Sequence, residues 1–141
     1  MQGFALVNGD IVVGQSGYQM VSGTAKVGQD LTVATAEPYG SDPYHPGWGS
    51  YLNSYIGQDP QTVTALAQTE VTRLVSNYMT VQQYQQTQAL SNGQSSPFTN
   101  NDYVTGLSSM DTSQDLTSLS ITATVQTASG ATVGVSTTVG G

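Results

Sequence analysis

The chain holds 141 residues, with two basic against nine acidic side chains, no cysteine and 37% apolar residues. That length fits one domain with a modest core. Without a basic patch, phosphate-neutralising binding to nucleic acid is nearly excluded and attraction to an anionic membrane is excluded; without cysteine, a disulfide framework and a thiolate zinc site are ruled out.

Charged residues make up only 8% of the chain, so Thr, Ser, Gln, Asn and Gly supply its polarity. Eight Tyr and clear apolar patterns argue for a folded chain with uncharged polar surfaces. The start, "MQGFALVNGDIVVG", has neither a basic region nor a long apolar run. We therefore expect no signal peptide, no membrane span, and synthesis in a cytoplasm.

The first element is a β-hairpin. Phe4–Val7 and Ile11–Val13 are short β-rich runs around Asn8-Gly9, a pair suited to a type I′ turn. A helix of about three turns follows. Val21, Ala25, Val27, Leu31 and Ala34 roughly keep a helical period, Ser22 is the expected N-cap, and Pro38 ends the helix near Ala36.

Glu37–Gly57 has no period and is rich in turn formers. The run "EPYGSDPYHPGWGSYL" contains the only Trp and the only His of the chain. Tyr39, Tyr44, Trp48 and Tyr51 predict an ordered loop, because they carry too much apolar surface to leave in water. The strongest helix begins next: Asp59 is a natural N-cap and Pro60 fits the first position. Val63, Leu66, Ala67, Val71, Leu74, Val75, Tyr78 and Val81 fall on one half of its wheel.

Residues 91–116 read as a polar loop or linker after a Gln-rich run. A second hairpin spans 117–139. Leu119, Ile121, Ala123 and Val125 alternate with Ser and Thr, Ser129-Gly130 makes the turn, and Val133 and Val135 continue the buried face. The expected fold is therefore α+β: one domain over 1–141, with an N-terminal β-hairpin, two main helices and a C-terminal antiparallel β-hairpin.

Signals for chemistry are weak. Glu37, Asp42 and Glu70 could serve as paired carboxylates for glycoside hydrolysis, but sequence shows no distance between them. His45 has no cysteine or second histidine for a metal, and no nucleophile-elbow or phosphate-loop motif occurs. Glu70 breaks the apolar arc of the second helix, and Arg73 is its obvious mate three residues on. The pair is either a partly exposed ion pair or a contact with another subunit. We expect no catalytic residues, no cofactor and no metal.

The string "GQDLTVATAEPYGSDPYHPGWGSYLNSYIG", Gly28 to Gly57, resembles the phage baseplate wedge proteins of the gp25-like, or baseplate assembly protein W, family. Gln29-Asp30-Leu31 matches the family's helix element, and "HPGWGSYL", His45 to Leu52, matches its (R/H)-P-x-(F/Y/W)-G-S-x-L segment. The order of hairpin, helix, helix and closing hairpin is also similar. Many members carry Glu-Pro-Arg just after the second helix; at the matching place this chain reads Met79-Thr80-Val81, so either the partner differs or another contact replaces it.

The resemblance implies a non-enzymatic virion protein in the baseplate of a contractile tail. Its partners would be other wedge proteins, the tail sheath protein, and the tail tube or hub, with multiple copies in a six-fold ring. It also implies that the terminal hairpin starts the sheath by β-strand pairing. Tyr39, Tyr44, His45, Trp48, Glu70, Arg73, Leu119, Ile121, Val133 and Val135 are the expected interface residues. Deleting 117–141 is then expected to block sheath attachment more than binding to wedge partners. The rival readings are a tail-associated peptidoglycan hydrolase using Glu37 or Glu70, and a tail surface-binding module.

Overall fold

A computed structural model describes residues 2–7, 10–11, 13–14, 17–18, 20–41, 43 and 47–140. At the N-terminus, β1 (Gln2–Phe4) pairs antiparallel with β6 (Met20–Ser22). Between them, β2 (Leu6–Val7) pairs with β3 (Asp10–Ile11), and β4 (Val13–Gly14) pairs with β5 (Gly17–Tyr18). The expected hairpin is present but shorter than its sequence suggested. Phe4 faces Met20 and Val13 faces Tyr18, so these two belong to other ladders. A second reversal explains the difference: Gly14 lies opposite Gly17, whose φ of 118° is open to glycine. The Asn8-Gly9 pair lies outside the described residues.

Helix α1 (Gly23–Ala36) ends where Pro38 predicts; Glu37 is extended and its N–H donates to the Val33 carbonyl at 2.9 Å. Ser22 holds the N-cap position without a side-chain cap bond. The helix buries Val27, Leu31, Ala34 and Thr35, whereas Val21 belongs to β6 and Ala25 is exposed.

The loop after α1 closes on itself. Ser50 N–H donates to Glu37 O at 2.7 Å, and Tyr39 N–H donates to Ser50 O at 3.0 Å. One 3-10 turn (Leu52–Tyr55) then inserts the fully buried Leu52 into the core.

Helix α2 (Pro60–Ser91) starts as predicted, with Asp59 accepting from Thr62 N–H at 3.2 Å and Pro60 in the first turn. Its 32 residues span about 48 Å at 1.5 Å per residue. Val63, Ala67, Val71, Leu74, Val75 and Tyr78 are buried, Leu66 is half-buried and Val81 is exposed.

The C-terminal sheet is antiparallel in the order β7 (Val104–Gln114), β8 (Ser118–Thr127), β9 (Thr132–Gly140). The β8–β9 hairpin matches expectation, down to the turn at Gly130 with φ of 84°. The polar loop over 91–116 does not: residues 104–114 form β7, and only 92–103 connect α2 to it. Register shifts lie between Val104 and Gly106 and between Leu107 and Ser109. They place the apolar residues Val104, Leu107 and Met110 three apart, so the period of two that marks a strand is lost.

Both helices cover one face of this sheet, making one mixed α+β domain. Helix α1 lies on β9, where a Cβ on Gly28 would sit 3.1 Å from Val133 Cγ1. Helix α2 lies on β7. Between the layers sit Val27, Leu31, Leu52, the α2 stripe, Val104, Leu119, Ile121, Ala123, Val125, Val133, Val135 and Val139.

Candidate functional site

The loop carrying the rare residues is fastened to α2 by one ion pair. Glu70 is 4% exposed and Arg73 is its mate. Arg73 Nε donates to Glu70 Oε2 at 3.0 Å, and Nη2 donates both to Glu70 Oε1 and to Gly49 O, the latter at 2.9 Å. Tyr51 N–H donates to Glu70 Oε1 at 3.1 Å. Each partner thus bonds its mate and the loop backbone. The bond to Glu70 holds the Arg73 guanidinium above its usual range.

Aromatic rings cover this pair. Tyr39 and Tyr51 stack with centroids 4.5 Å apart, and Arg73 Cζ lies 5.3 Å and 5.9 Å from them. Tyr55, below, has its hydroxyl pushed up by burial and then by Glu70. Trp48 packs edge-on against Tyr78, with centroids 6.4 Å apart. Tyr78 Oη donates to Asp30 Oδ2 at 2.8 Å, and Asp30 is ion-paired with Lys26. This second chain of contacts joins the loop, α1 and α2. Tyr44 and His45 lie outside the described residues.

Burial, then the Asp30 carboxylate, hold the Tyr78 hydroxyl far above the usual 10.0. The unfolded chain ionises there and the folded one does not. The stabilisation is therefore complete below that pH and is lost as pH rises through and beyond it. We expect ultraviolet titration of the native protein to show one ring ionising later than an exposed tyrosine does, and Tyr78→Phe to lack that late-titrating ring.

The expected interface residues on the terminal hairpin need correction. Leu119, Ile121, Val133 and Val135 are 0%, 1%, 6% and 4% exposed. Their alternation aims them at the helices, so they are core residues. The other face of β8 and β9 carries Ser120, Thr122, Gln126, Thr132, Ser136 and Thr138, with the Ser120 and Thr138 hydroxyls 2.9 Å apart.

The two sheet edges differ. Strand β7 is bulged twice and exposes Asp111, whereas β9 keeps register through nine residue pairs and carries neither charge nor proline. Along α1, against the start of β9, runs a trough of about 790 Å3 lined by Leu6, Ala25, Gly28, Thr32, Val133 and Gly134.

Sequence reasoning missed two glutamines. Gln82 is buried within the Gln-rich run; its Nε2 donates to Asp102 O at 2.5 Å and its Oε1 accepts from Val104 N–H at 2.9 Å. Its place four residues after Tyr78, on the buried stripe, was the available signal. Gln29 makes the equivalent pair of bonds with Phe4 O and Leu6 N, at 2.7 Å and 2.8 Å. A further correction concerns Met79-Thr80-Val81. These residues lie inside α2, so the segment following the second helix is 92–103, ending Asn101-Asp102-Tyr103 before β7.

Among the described residues there is no group of three or more His, Cys, Asp or Glu placed to hold a metal, and no helix long and apolar enough to cross a membrane. No family model matches the chain, and neither a curated protein nor a solved structure shows significant similarity to it.

Proposed function

We propose that this chain is a structural virion protein, a baseplate wedge subunit of a contractile phage tail. It would join wedge proteins around the tail tube and start the sheath by pairing β-strands. One observation carries this reading: a loop ending in "HPGWGSYL" connects two helices that cover a three-stranded sheet with one regular, uncharged edge. An edge without charge, proline or bulge invites a further strand, whereas single-chain proteins usually blunt such edges. Strand β9 fits that use and β7 does not.

The hydrolase reading is weaker. Both oxygens of Glu70 are engaged by Arg73, and one also by the Tyr51 amide, so Glu70 is poorly placed to exchange a proton, and Glu37, which lines the trough beside α1, is the carboxylate left to that reading.

Deleting 117–141 is a poor test, because it removes Leu119, Ile121, Ala123, Val125, Val133, Val135 and Val139 from the core. A sharper one is to label purified tails with an antibody to this chain and to image particles made without it. The reading predicts label at the baseplate and tube-only tails in its absence. Normal sheathed tails without the protein would refute it.

A further inference from the structure

Two helix glutamines grip backbone beside a strand in the same manner. Gln82 spans Asp102 O and Val104 N, and Gln29 spans Phe4 O and Leu6 N. In each case a side-chain amide bonds the carbonyl of residue i and the N–H of residue i+2 beside a strand.

Their surroundings differ, Gln29 being half-buried with its bond from the Leu6 N–H partly buried. Gln82 is 3% exposed and Val104 is 1% exposed. The bond from Gln29 to Phe4 is open to solvent, and Phe4 and Met20, facing each other across β1 and β6, are each 49% exposed. Among the described residues, none before Val27 belongs to the core cluster. Among the described residues the N-terminal ladders show three, two and two residue pairs, and isolated two-stranded ladders are marginal in water. Gly23 joins β6 to α1 with φ of 63°, and a Cβ there would meet nothing within 4 Å among the described residues. A glycine there lets the joint change its backbone angles at low steric cost.

We propose that Gln29 is a releasable latch. The β1–β6 ladder opens from α1 about Gly23 as one unit, while the buried Gln82 clamp stays closed. Leu6 and Gln29 both line the trough beside β9. Opening therefore removes Leu6 from its wall and widens access to that strand. This device holds whether or not the chain belongs to a tail.

Amide exchange on the full chain, read residue by residue, tests it. In the wild type, Leu6 and the β1–β6 amides should exchange together, at least about 100-fold faster than Ile121 and Val125. Gln29→Leu should speed Leu6 exchange by about tenfold and leave Val104 unchanged. Gln82→Leu should speed Val104 and lower global stability. Wild-type Leu6 protection equal to that of Ile121 would overturn the proposal. So would unchanged Leu6 exchange in Gln29→Leu, or loss of Ile121 protection in that variant, since the latch would then be inseparable from the core.

Discussion

Replacing Arg73 with alanine is expected to destabilise the domain by about 2–3 kcal/mol in urea unfolding. Breaking a buried ion pair from one side costs about 3–5 kcal/mol, because the remaining charge is left in a poor solvent. Here Glu70 is that remainder, at 4% exposure, with only the Tyr51 amide still bonded to it. The Arg73 side chain is 30% exposed, so water already screens part of the attraction and the lower range applies. The stacking of the guanidinium on Tyr39 and Tyr51 is lost too. Glu70→Gln should cost less, since the charge left behind, on Arg73, can hydrate. A larger loss for Glu70→Gln than for Arg73→Ala would show this account of the pair to be wrong.

Gly49→Ala is expected to cost about 3 kcal/mol or more and to lower the melting temperature by roughly 10 °C. Gly49 has φ of 92°, and an added Cβ would lie 2.4 Å from Pro38 O and 2.9 Å from Tyr39 Cα. Both obstacles are backbone, held by the bridge between Pro38 and Ser50, so neither can step aside cheaply. The displaced segment also carries the Gly49 carbonyl that Arg73 holds. Gly47→Ala, two residues earlier, meets nothing within 4 Å among the described residues and should leave the melting temperature nearly unchanged. Calorimetry on the two variants separates a steric cause from a general need for flexibility.

Much of this fold was legible because local and tertiary demands agree. Asp59-Pro60 starts α2, Pro38 stops α1, and the alternation from Leu119 to Val125 is both strand-like and buried. Legibility failed where pairing is decided at a distance. Strand β7 hides its period behind two bulges, and Phe4 finds Met20 rather than a neighbour across Asn8-Gly9. For the site, the Glu70–Arg73 pair was readable from helical spacing. Its grip on the Gly49 carbonyl and the Tyr51 amide was not, because those contacts cross 24 and 19 residues. The hairpin residues named for an interface lie on the buried side of their strands, since alternation marks two faces without saying which one a partner meets.

The chain's only two cations, Lys26 and Arg73, are each ion-paired with a carboxylate of their own helix. The excess of seven negative charges therefore has no positive patch opposing it. Two copies approaching in dilute buffer repel each other from most directions, and that repulsion fades as salt shortens its reach to about 10 Å near 0.1 M. Free molecules thus carry a built-in brake on self-association. If many copies share one particle, as the proposed function requires, their close approach calls for ionic strength or for a cationic neighbour seated between them.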